Sequence, residues 1–369
     1  MPQMAWHMTR CFFTPTTEQL LFLMNEQESQ AAALAIYLER EAHALPKKPE
    51  GAVIYRAVPG AYLRRLGEVA DVCCIQSDRP LADELARLGY MEEASPVRSA
   101  HLAIVFATKH REEVLYHLAL AADTLEEGGS LIVTAANTLG ASSLERRMAE
   151  LMGGVESFCK HKCRVLRSSK RTATLNAELL NAWKQAGELR RMDATGYYSC
   201  PGLFSWKSFD SGSRLLAASL PAGLHGRGAD LGAGYGYLSR MALERAAGIK
   251  GLHLFEAERK GLEAAERNLA GFNQRCELHF HWADVTAGLG MTGLDFVLMN
   301  PPFHAGRDSL PALGRTFVRE ALKALRPGGR LFMVANRHLP YEGELESMSA
   351  VVESALQDSG FKLIVARKA

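Results

Sequence analysis

Asn300-Pro301-Pro302-Phe303 has the residue types and order to receive a planar group bearing an NH2. Two consecutive prolines hold φ near about −65° and carry no N–H donors, so the loop is stiff and its carbonyls face a ligand without competing amides. The Asn300 side chain adds an acceptor oxygen and Phe303 an aromatic face on which a base can stack. An exocyclic amine on a base is a poor nucleophile because its lone pair is delocalised into the ring. Acceptors that take both of its hydrogens favour a pyramidal nitrogen and stabilise the charge that develops there. On this reading Asn300, Pro301 and Phe303 are catalytic, and Phe303 also binds substrate. An isolated motif of this kind can equally be a loop that only stops a strand.

Its surroundings favour the chemical reading. Asp230-Leu231-Gly232-Ala233-Gly234-Tyr235-Gly236 is a glycine-rich turn that lets backbone approach a ligand closely. In a dinucleotide site the glycines follow G-x-G-x-x-G, with a pyrophosphate to cradle. Here the third glycine comes one place early and Tyr237 takes the dinucleotide position, which tilts the balance from NAD to S-adenosylmethionine (SAM). Glu256 suits the ribose hydroxyls, and Asp284 suits an adenine edge or, more plainly, a solvated cap. The cofactor set is thus Asp230, Gly232, Gly234, Gly236, Glu256, Asp284 and Asn300. A sulfonium methyl is already activated, so neither a metal nor a covalent nucleophile is needed, and holding nitrogen, carbon and sulfur in line supplies much of the catalysis.

The elements that would position these groups alternate along the second half. SGSRLLAASL is an amphipathic helix with Ser211 or Ser213 as N-cap. GADL, GLHLFEA, CELHFHWA, LDFVLM and RLFMVA are strands, separated mostly by helical runs such as YLSRMALERAA, RKGLEAAERNLA and LGRTFVREALKAL. Short connections of this kind give a mostly parallel sheet covered on both faces, with ligands at the carboxyl ends of the strands.

The first half repeats part of this plan. AADTLEEGGSLIVTAA (121–136) matches ALKALRPGGRLFMVAN (321–336), and the Gly-Gly pair in each reads as a helix C-cap and turn. GVESFCKHKCRVLRSSK and AVVESALQDSGFKLIVARK follow in the same order, each a candidate antiparallel hairpin. A spacing of roughly 200 residues is too long for a solenoid and points to a duplicated domain. The boundary falls near 175–195, where LNAELLNAWKQAGELRRM reads as a helix with Trp183 and Leu189 on one face, and Pro201-Gly202 marks a turn.

From Pro201-Gly202-Leu203-Phe204-Ser205 through Asp210-Ser211-Gly212-Ser213, DLGAGYGYLS, NPPFH and RPGGRLFMVANRHLPY to the terminal hairpin, the second half resembles class I SAM-dependent N-methyltransferases. The nearest resemblance is to the bacterial small-subunit rRNA guanine-N2 methyltransferase family (RsmC), with the large-subunit relative (RlmG) as a neighbour. PGLFS followed by D-x-G-S is far more specific than the glycine loop. The resemblance implies two tandem Rossmann-like α/β domains, each a mostly parallel sheet with an antiparallel terminal hairpin. The N-terminal copy, 1–185, is degenerate and supports rRNA engagement, and the catalytic copy is 190–369. FATKH (106–110) standing where NPPFH would be fits that plan. Glu256 in place of the usual Asp, and Ala233 where Cys is common, are small departures.

Composition permits this reading without demanding it. With 47% hydrophobic residues, 23% charged residues and a net charge of +2, the chain is an ordinary globular protein, mildly basic at most. Seven cysteines without ligand spacing read as free thiols, so no metal site is expected. No apolar run approaches the ~20 residues of a membrane span, which makes the cytoplasm the expected location, with no membrane partner and a monomeric or weakly associated state. Lys160, Lys162, Arg164 and Arg167 lie in one basic run, with Lys170 and Arg171 beyond. Alternation along a strand would put several on one face for phosphate contacts, or they guard a solvated edge strand. The expected partner is rRNA within the small ribosomal subunit. Large-subunit rRNA guanine, DNA adenine N6 and protein glutamine remain open as substrates. A relict RNA-binding or assembly protein, or an NAD-dependent oxidoreductase, fits the residues less well.

Overall fold

A computed structural model describes residues 25–42, 51–90, 99–302, 310–358 and 360–369. The N-terminal half runs α1 (Glu26–Arg40), β1 (Gly51–Tyr55), α2 (Ala61–Val69), β2 (Asp71–Ile75), α3 (Arg79–Arg87), β3 (Ala100–Phe106), α4 (Arg111–Thr124), β4 (Leu125–Ala136), α5 (Ala141–Met152), β5 (Glu156–Lys160), β6 (Cys163–Ser169) and α6 (Ala177–Gly187). A two-residue-per-strand hairpin, β7 (Arg190–Arg191) with β8 (Tyr198–Ser199), leads into the second half. There follow α7 (Ser211–Ser219), β9 (His225–Leu231), α8 (Tyr237–Arg245), β10 (Gly248–Glu256), α9 (Arg259–Leu269), β11 (Glu277–Trp282), β12 (Leu294–Met299), α10 (Leu310–Ala324), β13 (Leu325–Asn336), α11 (Glu342–Ser347), β14 (Ala350–Asp358) and β15 (Phe361–Lys368).

Two sheets result, ordered β2-β1-β3-β4-β6-β5 and β11-β10-β9-β12-β13-β15-β14. In each, the strands are parallel except for the closing hairpin. Apart from the extra edge strand β11, the two orders coincide, with β1 matching β9, β2 matching β10 and β3 matching β12. Each sheet buries both faces. Leu34, Leu38, Leu63 and Leu66 cover one face of the first, and Val114, Leu118, Met148 and Leu180 the other. Leu216, Leu243 and Leu262 cover one face of the second, and Val318, Leu322 and Tyr341 the other. Among the described residues, no helix is long and apolar enough to cross a membrane.

Register makes the duplication specific to single positions. Ala52 pairs with Leu102 and Leu102 with Ser130, as Gly228 pairs with Phe296 and Phe296 with Arg330. Ile54 therefore stands where the second half has Asp230, Arg56 where it has Gly232, and Phe106 where it has Asn300. Across β2 and β10, Gln76 corresponds to Glu256. The first half thus keeps the sheet and has a different residue at each of these four positions.

Four local expectations need correction. The cap of α7 is Asp210, whose carboxylate accepts from the Ser213 N–H; Ser211 and Ser213 lie inside the helix. The Gly-Gly pairs are not helix caps, because α4 and α10 end at Thr124 and Ala324. Gly128 and Gly328, at φ 82° and 77°, instead turn the chain within the extended segments that follow. Helix α6 stops at Gly187, so Trp183 packs with Leu180 in the first half while Leu189 joins Tyr197, Leu203 and Tyr235 in another cluster. The basic run is not one face: Arg164 and Arg167 are three apart on β6, and Arg164 is ion-paired with Glu145 of α5 while Arg167 donates to Ser130 Oγ.

The halves meet through corresponding loops. The Arg79 N–H donates to Ala257 O and the Arg259 N–H to Ser77 O, both at 2.9 Å, and Asp78 and Glu258 form an antiparallel bridge. The guanidinium groups of Arg79 and Arg259 both lie over the Trp282 ring, at 4.9 and 3.8 Å from its centroid, and its Nε1–H donates to Ser77 O and Ala257 O. Arg56, at φ 55°, binds Glu258 at 2.8 Å and faces Glu113 at 3.7 Å. Burial alone would raise Glu258, yet Arg56 holds its carboxyl below the ordinary range. Arg56→Ala leaves one buried carboxylate, Glu113, and one part-buried carboxylate, Glu258, without their cation. It should lower the unfolding free energy by about 3–5 kcal/mol, read by urea denaturation. A loss under ~0.5 kcal/mol, the scale of an ordinary surface change, would show that the pair does not hold the interface.

Candidate functional site

A cavity of about 610 Å³ opens at the carboxyl ends of the strands of the second sheet. That volume is in the range of small-molecule and cofactor sites. Its wall takes Gly232, Ala233 and Gly234 from the loop after β9, Phe255–Glu258 from the end of β10, Asp284 and Val285 after β11, and Asn300–Pro302 after β12. Asp78, Lys109 and His110 come from the N-terminal half. Strand ends converge here because parallel strands all deliver their loops to one edge.

The glycine loop needs its glycines. Gly232, Gly234 and Gly236 have φ of 73°, 55° and 81°, where any side chain is strained. The N–H groups of Gly232 and Ala233 tie the loop to Phe255 O. Gly236 does not line the cavity. Its missing Cβ would lie 3.1 Å from Ala265 Cβ, so it serves the packing of α8 on α9.

Asp230 also stands apart from the cavity wall. It is fully buried, and its Oδ2 accepts from the N–H and hydroxyl of Ser239 at 3.1 and 2.7 Å. That bond fixes the first turn of α8 and with it the glycine loop. Burial, opposed by the two Ser239 bonds, pushes its carboxyl up to about 6.

Glu256 lies at the cavity edge. Its Oε2 accepts from the Gly234 N–H at 2.7 Å and its Oε1 from the Glu258 N–H at 2.9 Å. Each oxygen retains a lone pair for a further donor. Burial pushes Glu256 up to about 7, despite these bonds. Asp284 accepts from the Thr286 N–H and hydroxyl through Oδ1, so it caps the short helical turn Val285–Ala287 while lining the cavity.

Asn300 is the most constrained of the set. Its Nδ2 donates to Asp210 Oδ2 at 3.0 Å and to Ser213 Oγ at 2.8 Å. A carboxylate only accepts, so the amide nitrogen must face Asp210, and the orientation of the group is settled. Asn300 Oδ1 is left buried with no hydrogen-bond partner among the described residues. An orphan buried acceptor costs roughly 1–3 kcal/mol, which a ligand donor would recover. Pro301 is buried and Pro302 exposed on the same wall, while Phe303 lies outside the described residues.

Asp210 and Ser213 were not among the expected site residues, although both fall in the D-x-G-S segment that carried the resemblance. PGLFS has a positional role as well. Tyr235 donates to Ser205 O, and Asn268 bridges the backbones of Tyr198 and Tyr235. Gly202, at φ 102°, lies so close to the Glu113 side chain that a Cβ would come within 2.7 Å of it. Lys160, Lys162, Arg164 and Arg167, on β5, β6 and their turn, do not line this cavity.

Residues 195–365 match the methyltransferase small domain, and residues 75–185 match the methyltransferase small domain N-terminal family. Ribosomal RNA small subunit methyltransferase C of Sodalis glossinidius is 27% identical over 296 residues, covering 77% of this chain and 79% of its own length. The protein of that name from Shewanella loihica is 28% identical over 267 residues, covering 72% and 77%. A solved structure of a T. thermophilus 16S rRNA N2 G1207 methyltransferase (RsmC), in complex with AdoMet and guanosine, superposes with a TM-score of 0.73 at 22% identity. It covers 91% of this chain and 92% of its own, so both domains share its fold.

The Glu256 shift makes a testable statement about pH. The folded chain retains a proton between the ordinary carboxyl value, 4.5, and about 7, where the unfolded chain has lost it. The stability from this group is therefore full below pH 4.5 and is lost as pH rises through 7. Glu256→Gln removes the titration, so its stability relative to the parent should improve by about 1–3 kcal/mol between pH 5 and pH 8. Urea unfolding of both proteins at the two pH values measures this; an unchanged difference would mean that Glu256 is already ionised throughout.

Proposed function

We propose, from the premise that this chain belongs to the methyltransferase small domain family and carries that family's N-terminal domain as well, that it transfers a methyl group from SAM to the exocyclic N2 amine of a guanine in 16S rRNA. The observation that carries this reading is Asn300 Oδ1, a buried, oriented acceptor without a partner among the described residues, in the wall of a cavity at the strand ends. The small-subunit rRNA relatives support the choice of substrate, as does the guanosine in the complex of the solved relative.

The residues present fit SAM. Glu256 would take the ribose hydroxyls, Gly232 and Gly234 would allow close backbone approach, and Asp284 would meet the adenine edge. When bound, SAM supplies an activated sulfonium methyl. The chain does the rest by position and charge. Asn300 Oδ1 and the Pro301 carbonyl accept the amine hydrogens and stabilise the charge that builds on nitrogen. Asp210 and Ser213 prevent the amide from turning away. Phe303 stacks on the base. Residues 190–369 form the catalytic unit, and residues 1–185 are a degenerate copy that supports rRNA engagement, with Lys160, Lys162, Arg164 and Arg167 as contributors. The substrate is placed within the small ribosomal subunit, in the cytoplasm, and the enzyme acts as a monomer or weak oligomer.

Radiolabelled SAM offered to small subunits, large subunits, free rRNAs and DNA tests the assignment, followed by digestion and identification of the product. N2-methylguanosine from 16S rRNA is expected, and label in any other nucleoside would overturn the substrate. Asn300→Ala should lower kcat by ~10²–10³, the scale of one lost transition-state hydrogen bond, with SAM affinity nearly intact. Near-parental turnover on every substrate would return the loop to a purely structural role.

A further inference from the structure

The described charged residues lining the cavity are unevenly signed. Asp78, Asp210, Glu256, Glu258 and Asp284 are carboxylates, and Lys109 is the one lysine or arginine among them. That balance suits a cationic methyl donor but opposes an incoming nucleic-acid strand, whose phosphates are repelled by the ionised, unpaired carboxylates among them; Glu258 is offset by Arg56, and Glu256 keeps its proton up to about pH 7. His110 does not alter the sign, since burial lowers it further below neutrality.

Lys109 belongs to the N-terminal half, on the loop between β3 and α4. Counted along the sequence from the register pair Phe106 and Asn300, Lys109 falls at the place of Phe303 in the Asn-Pro-Pro-Phe motif. The loop is held on both sides of the lysine. Thr108 Oγ1 donates to Glu113 Oε2 at 2.7 Å, and the His110 N–H donates to Thr108 Oγ1. Glu113 in turn faces Arg56, which binds Glu258 in the second half. The Lys109 backbone is thus anchored to the catalytic half, while its side chain is exposed at the cavity.

Resting on the RNA reading above, we infer that Lys109 receives the backbone phosphate beside the target nucleotide, so that the degenerate half supplies a substrate-binding residue to the active site. The loop of that half, Phe106-Ala107-Thr108-Lys109-His110, carries no Asn-Pro-Pro and works as a cationic lip. Any phosphate that enters with its base in the cavity passes a wall of carboxylates, and among the described lining residues Lys109 is the counter-charge. The shared chemistry is an anion at the lip; the other anion available is the carboxylate of the methyl donor.

The test uses the full-length protein with Lys109→Ala, Lys109→Glu and Lys109→Arg. It measures methyl transfer to 16S rRNA at several salt concentrations, and SAM binding by calorimetry. The alanine variant should raise KM for RNA about tenfold at low salt and reduce the salt slope by about one unit, with kcat and SAM affinity unchanged. Arginine should restore KM to within about twofold, and glutamate should be worse than alanine. Weaker SAM binding with an unchanged KM for RNA would assign the lysine to the donor carboxylate and overturn the inference. No change in either would make Lys109 a solvated surface residue and overturn it equally. A parent protein that labels no rRNA at all sinks the RNA reading itself, a result seen before any Lys109 variant is compared.

Discussion

The hydrogen bond from Asn300 Nδ2 to Asp210 Oδ2 decides what the cavity can do. Asp210 is committed twice, as the cap of α7 through the Ser213 N–H and as the partner of Asn300. Helix α7 packs on the same sheet whose strand β12 delivers Asn300, so the bond joins the N-cap of one rigid element to the residue that follows another. Its consequence is an acceptor oxygen fixed in orientation and withheld from water. Catalysis of transfer to an amine asks for such a group, since an acceptor that must reorient during the reaction loses most of its benefit.

The other half of the molecule shows the same scaffold released from that constraint. Ile54 replaces the buried carboxylate that fixes α8, Arg56 takes the place of the first loop glycine, and Phe106 stands where Asn300 does. The sheet survives these changes because its core faces do not depend on them. At the position of the first loop glycine, Arg56 makes an interdomain contact instead, closed by Glu113 and Glu258. The corresponding loops after β2 and β10 meet in near-symmetric fashion around Trp282. The second sheet thus brings a partner surface as well as a second domain.

Much of the architecture was legible because strand and helix periods are local, and because parallel strands send their loops to one edge. Glu256, Asp284 and Asn300 could be placed around one cavity on that rule alone. The rest depended on contacts distant in sequence. Asp210 lies 90 residues from Asn300, and nothing in its own neighbourhood reveals that it orients an amide. Asp230 shares the strand-end position of a ligand group, yet its carboxylate reaches Ser239 in the following helix instead. Gly236 is glycine for its φ of 81° and its packing against Ala265, not for ligand contact. The basic run failed as a single face for a simple reason: Arg164 and Arg167 differ by an odd number, so the pleat sends them to opposite sides.

A structure of the protein with S-adenosylhomocysteine and guanosine tests the central claim most directly. The account predicts Asn300 Oδ1 within about 3.2 Å of the guanine N2 amine, with Nδ2 still on Asp210 and the Glu256 carboxylate against the ribose. Guanosine bound elsewhere, or bound here with its N2 amine out of reach of Asn300 Oδ1, would contradict it.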